Sequence, residues 1–122
     1  MTFPWLSLLY VALGGAIGSG ARFILFTLIG QNAVLISNIT GCFLIGAVLS
    51  FFEIRELMPT HLLMFLTIGL LGGFTTFSAF SAETFALIDN DQTIQAILYI
   101  LLSVIGGLVA FLIGRLVVRR YL

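Results

Sequence analysis

The chain has 122 residues, 61% of them apolar and only 8% charged, with five basic and five acidic side chains cancelling to a formal charge of zero. An average soluble domain carries about 25% charged residues to face water, so a water-soluble globule is excluded. With no lysine and no basic patch to neutralise a run of phosphates, nucleic-acid binding is excluded as well.

The charges, at Arg22, Glu53, Arg55, Glu56, Glu83, Asp89, Asp91, Arg115, Arg119 and Arg120, leave uncharged stretches at residues 1–21, 23–52, 57–82 and 92–114. A helix needs about 20 apolar residues to cross about 30 Å of hydrocarbon, so each stretch can span a bilayer once and none can span it twice. The reading is an all-α integral membrane protein, a single domain over 1–122 with four transmembrane helices: Trp5 to Thr27, Ala33 to Phe52, His61 to Phe85 and Ile94 to Val118. The N-terminal apolar run has no basic region before it and no AxA-like site at Gly14 to Gly20, so the first helix is expected to be retained rather than cleaved as a signal peptide. Four spans put both termini, the Arg55 loop and Arg119 and Arg120 on one side, and the positive-inside rule leans towards cytoplasmic termini.

In the first span, GGAIGSGARF (14–23) places Gly14 and Gly18 four apart, with Gly15 and Ser19 one step behind. Such a stripe of missing side chains lets helices approach closely in lipid, where no hydrophobic force drives them together. Arg22 has two open readings: it snorkels to the interface, or it faces an aqueous vestibule where it concentrates anions.

The second span carries SNITGCFLIG (37–46). An unsatisfied amide in hydrocarbon costs several kcal/mol, so Asn38 must face protein or water. Its amide is either an interhelical glue or a pore-lining donor with two N–H groups to offer an anion. Cys42, the one cysteine, reads as a small packing residue.

The third span opens with His61 after Pro59, an interfacial position. Its middle, GLLGGFTTFSAFSAE (69–83), crowds Gly72, Gly73, Thr75 and Thr76 together. Adjacent glycines followed by β-branched threonines weaken a helix, so a break is expected near 72–76. Backbone freed at membrane depth survives only where protein, water or an ion satisfies it, which makes broken helices markers of ion sites. Phe77 and Phe80 follow three apart beside Ser78 and Ser81. Phenylalanine at this spacing is ordinarily filler, yet its electropositive ring edges can also hold an anion. Glu83 is the one acid that falls within a span.

The fourth span sets Tyr99, Ser103 and Gly107 at intervals of four, a hydroxyl-bearing stripe that lines a polar path or makes interhelical bonds. There is no HExxH, no GxSxG and no P-loop pattern, so an enzyme has no residues to stand on. Two other readings compete: a small multidrug-resistance-type four-helix exporter, which wants an acid in its first span where this chain has none, and a non-transporting structural membrane protein, which leaves the mid-span polar groups unexplained.

Taken together, GGAIGSGAR, SNITGCFLIG and GGFTTFSAFSAE, in this order and spacing, resemble the Fluc family of small fluoride channels, also called CrcB proteins, over nearly the whole chain. The resemblance implies a passive fluoride-selective channel in the bacterial inner membrane, built as an antiparallel, dual-topology homodimer with two pores. It implies that Asn38, Phe77, Phe80, Ser78, Tyr99 and Ser103 belong to the fluoride pathway and that Glu83 is an acid near one pore end; on the vestibule reading of Arg22, these two residues are the candidate vestibule. It further implies a structural Na⁺ at the dimer axis, held by the backbone carbonyls of Gly72 and Thr75 from both subunits. Two positions depart from the family pattern: Val34 stands where a threonine is frequent, and Gly107 where a second serine of the fourth-helix track is usual.

Overall fold

A computed structural model describes residues 4–56 and 59–122, and every regular element among them is helical. Helix α1 (Trp5–Ile29) ends at Gly30, whose φ of +64° and ψ of −131° is a conformation that glycine alone adopts easily. A 3₁₀ turn (Gly30–Asn32) then leads into α2 (Ala33–Arg55), which stops at Glu56 in the left-handed region. After Pro59 come α3 (Thr60–Met64), a π-helical stretch (Phe65–Leu71) and a single turn, α4 (Gly72–Phe74). Thr75 and Thr76 are extended, at ψ +156° and +116°, before α5 (Phe77–Asp89) resumes the helix. A turn at Asn90–Asp91 joins it to α6 (Thr93–Tyr121).

Three runs are long and apolar enough to cross a membrane: Trp5–Arg55, Thr60–Asp89 and Thr93–Tyr121. The first bends at Gly30, so that α1 and α2 both reach the interrupted segment: a Cβ on Gly18 would meet the Phe74 backbone, and one on Gly41 the Thr75 side chain. The helices run a little beyond the uncharged stretches, α2 taking in Glu53 and Arg55 and α6 taking in Arg115, Arg119 and Arg120. There Arg119 of α6 donates to Glu53 of α2 at 2.9 Å, an exposed pair that ties two helix ends and adds little stability.

Packing is by small residues. Gly46 of α2 lies against the Phe111 carbonyl of α6, and Gly114 of α6 against the Phe43 carbonyl of α2. Gly14 and Gly18 of α1 lie in the same way against the backbone of Phe65, Leu70 and Phe74, while Gly69 returns the contact to Val11. Most buried positions are alanine, glycine or serine, such as Ala33, Ser37 and Ala96, joined by Val34, Leu71, Phe80 and Thr84, while Trp5, Leu28 and Leu108 are outside. This inversion of a soluble core is what association through backbone approach in lipid requires.

Candidate functional site

The interruption between α4 and α5 leaves several backbone groups without their helical partners, and the way each is satisfied builds the site. Thr75 closes the last regular turn twice over, with its N–H on the Leu71 carbonyl at 3.0 Å and its hydroxyl on the same oxygen at 2.9 Å. The next N–H, that of Thr76, would have closed on Gly72. It donates instead to Asn38 Oδ1 at 2.7 Å, while Asn38 Nδ2 donates back to the Thr76 carbonyl at 3.1 Å. One side-chain amide from α2 thus stands in for a peptide group and pins the extended residue from both sides.

Thr76 also starts the following helix. Its hydroxyl accepts from the Ala79 N–H at 3.1 Å, an N-cap, and lies 3.1 Å from Ser78 Oγ. The N–H groups of Phe77 and Ser78 belong to the first turn of α5, where the helix supplies no acceptor. The Gly73 carbonyl, whose α-helical donor would be the Phe77 N–H across the break, accepts from Arg22 Nε at 3.2 Å. The Gly72 and Thr75 carbonyls lose the N–H groups of Thr76 and Ala79 to Asn38 and to the Thr76 hydroxyl.

Beside this segment lies a cleft of about 480 Å³, lined among others by Asn38, Thr75, Thr76, Phe77, Phe80 and Ser103 and bordered by no charged side chain. Ser103 Oγ is the one buried side-chain polar atom among the described residues that lacks a hydrogen-bond partner. Asn38 spends one N–H on Thr76 and retains the other. Phe77 and Phe80 stand with ring centroids 5.3 Å apart and planes tilted by 52°. Phe80 is 8% exposed and Phe77 78%, so one ring is packed within the chain and the other projects from it. Gly107 borders the same cleft, where a Cβ would come within 3.2 Å of Cys42 Sγ.

Phe80 meets Tyr99 with ring centroids 5.4 Å apart and planes tilted by 37°, and past that contact is a second hollow of about 370 Å³. Glu83 and Tyr99 share it with Gln31, Asn32, Asn90 and Gln92, and the Tyr99 hydroxyl donates to Glu83 Oε2 at 2.5 Å. The structure therefore gathers Asn38, Phe77, Phe80 and Ser103 in one cleft, with Gly72 and Thr75 on its wall, and places Glu83 and Tyr99 in the neighbouring hollow. Ser78 lies exposed at the start of α5, and Arg22 sits on the far side of the break, lining neither hollow.

Thr76 is the residue that sequence reasoning passed over. Its threonine was a signal only of a weak helix, although a threonine placed just before an apolar helical run is also an N-cap signal. As for a cation, no group of three His, Cys, Asp or Glu side chains occurs among the described residues. The Gly72 and Thr75 carbonyls, released from the ladder, are the donors that fit a hard monovalent ion, the kind of unwound backbone that coordinates Na⁺ in broken membrane helices.

Residues 9–115 match the family model described as CrcB-like protein, Camphor Resistance (CrcB). The chain is 38% identical over 121 residues to the fluoride-specific ion channel FluC of Flavobacterium psychrophilum, covering 93% of this chain and 98% of that one. It is 39% identical over 119 residues to the FluC of an Anaeromyxobacter species, covering 92% and 94% of the two chains. To FluC 2 of Listeria innocua it is 39% identical over 111 residues, covering 88% and 86%.

Proposed function

The chain belongs to the CrcB family, and from that membership we propose that it is a passive channel through which fluoride leaves the cytoplasm of a bacterial cell. It is a multi-pass membrane protein and not an enzyme.

The observation that carries the site assignment is the reciprocal bond between Asn38 and Thr76. It holds a helix start open towards an uncharged cleft that also contains the unpaired Ser103 hydroxyl and two phenylalanine rings. Fluoride is small and tightly hydrated, so a pore has to replace its water with N–H, O–H and ring-edge donors. It must do so without a fixed charge in the path, which would hold the ion too strongly for it to leave. Asn38, Phe77, Phe80 and Ser103 supply such donors in the cleft, Ser78 adds a hydroxyl at its rim, and Tyr99 and Glu83 form the neighbouring vestibule.

Four membrane crossings are proposed, α1, α2, the α3-to-α5 run and α6, with the third interrupted at Thr75 and Thr76. The working unit is an antiparallel homodimer with two pores, and the outward projection of Phe77 supports a partner chain completing the path. The Gly72 and Thr75 carbonyls of both subunits would hold a structural Na⁺, which supplies positive charge beside the path and outside it.

The test is efflux from liposomes containing the purified protein, with fluoride and chloride compared at the same voltage. Fast fluoride efflux with chloride retained is the expected result. Equal leakage of both ions, or of neither, overturns the reading.

A further inference from the structure

Gly14, Gly18 and Arg22 fall at intervals of four on α1 and so share one helical face. The two glycines bring that face into backbone contact with the π-helical stretch and α4, where a Cβ on Gly73 would lie 2.6 Å from the Gly15 carbonyl. The next position along the face meets the break itself, and there the chain places its only long polar side chain of α1. Arg22 Nε donates to the Gly73 carbonyl at 3.2 Å. The one ion pair among the described residues joins Arg119 to Glu53, so Arg22 has no carboxylate partner there. Charged groups within membrane spans pair with one another or with backbone carbonyls, and Arg22 has taken the second course.

We propose that Arg22 is a positioning residue that clips the broken helix: its Nε–H replaces the missing Phe77 N–H on Gly73 and so fixes the orientation of the neighbouring Gly72–Thr76 backbone. Asn38 grips the extended side of the break and Arg22 the helical side. Between the two grips lie the peptide groups of Gly73, Phe74 and Thr75, and a loss at either grip lets those carbonyls reorient. This inference rests on the fluoride-channel reading above. It assigns Arg22 a hydrogen-bonding task rather than the attraction of anions through charge.

The two tasks separate by side-chain geometry. Glutamine carries an N–H donor at the same number of bonds from Cα as arginine Nε but has no charge. Lysine keeps the charge and moves the donor one atom further out. Methionine keeps the bulk and has neither. In liposomes, Arg22→Gln is expected to conduct fluoride within about threefold of the unaltered protein, and Arg22→Met to lose roughly tenfold or more, with both eluting as the same oligomer.

Arg22→Lys near the unaltered rate with Arg22→Gln as poor as Arg22→Met overturns the clip in favour of charge. All three variants at the unaltered rate overturn it as well, and so does an equal loss in all three. Should Arg22→Met not assemble, the order of Arg22→Gln and Arg22→Lys decides alone. Failure of the unaltered protein to pass fluoride in preference to chloride is a different outcome, which removes the channel reading itself.

Discussion

Two seams of glycine hold the helices together, and they differ in the state of the backbone across the contact. In the α2–α6 seam, Gly46 and Gly114 each admit a carbonyl of the opposite helix, and both hydrogen-bond ladders run on undisturbed. In the α1 seam, Gly14 and Gly18 admit a π-helical stretch and the single turn α4, just before the chain becomes extended at Thr75 and Thr76. It is to this interrupted run that side chains from other helices, Asn38 of α2 and Arg22 of α1, bond at main-chain groups. Missing side chains are therefore a general means of packing in lipid, whereas polar side chains on loan to a backbone mark where the membrane has been asked to tolerate an irregular segment.

The largest effect is expected where the loan is withdrawn. Asn38→Asp keeps an acceptor for the Thr76 N–H, removes the donor to the Thr76 carbonyl and puts a negative charge on the wall of an anion path. Fluoride efflux should fall by at least about a hundredfold while the protein still elutes as its normal oligomer. Normal conduction by this variant places the path elsewhere. Phe80→Ile comes next: the isoleucine fills the space between Phe77 and Tyr99 but has no ring edge, and efflux should fall by about tenfold or more. An unaltered rate would make both rings packing groups.

The α2–α6 seam should answer in stability rather than in selectivity. A Cβ at Gly114 runs into the Phe43 carbonyl, so Gly114→Ala is expected to destabilise the fold by roughly 1–3 kcal/mol, seen as a lower Tm in detergent. The molecules that remain folded should still pass fluoride and retain chloride. Chloride leakage through this variant would erase the distinction between the seams.

Much of this contrast was legible in the sequence, because it rests on local features. The expectation of four spans comes from the spacing of ten charges, and that of a weak helix at 72–76 from two glycines and two threonines in a row. What the sequence left open was where the polar groups turn. Asn38 read as glue or as a donor with two N–H groups free for an anion. In the fold it spends one N–H and its oxygen on Thr76, a residue thirty-eight positions away, and keeps the other N–H. The two readings of Arg22, snorkelling or facing a vestibule, likewise missed a carbonyl on another helix that exists as an acceptor only because the ladder fails there. The π-helical stretch has no local sequence mark at all. Contacts that depend on how two interrupted backbones meet are set by tertiary packing, and periodicity does not encode them.

The smallest effects separate what the break does within one chain from what it does between two. A Cβ at Gly72 would find only the Thr67 carbonyl at 3.5 Å, an ordinary contact, and alanine is favoured over glycine in a helix by about 0.8–1 kcal/mol. Within a single chain Gly72→Ala should therefore be neutral or mildly stabilising, in contrast to Gly114→Ala. If two copies of this backbone face each other around Na⁺, the same methyl group intrudes between them, and efflux or the dimer fraction should fall several-fold with no loss of Tm. Thr75→Ser is the control, since it keeps the carbonyl and the hydroxyl bond to Leu71 and gives up only the methyl lying against Gly41. Its efflux should stay within about twofold. A Gly72→Ala protein with the normal dimer fraction and efflux would mean that these carbonyls do not face a partner, and the broken segment would then serve one chain alone.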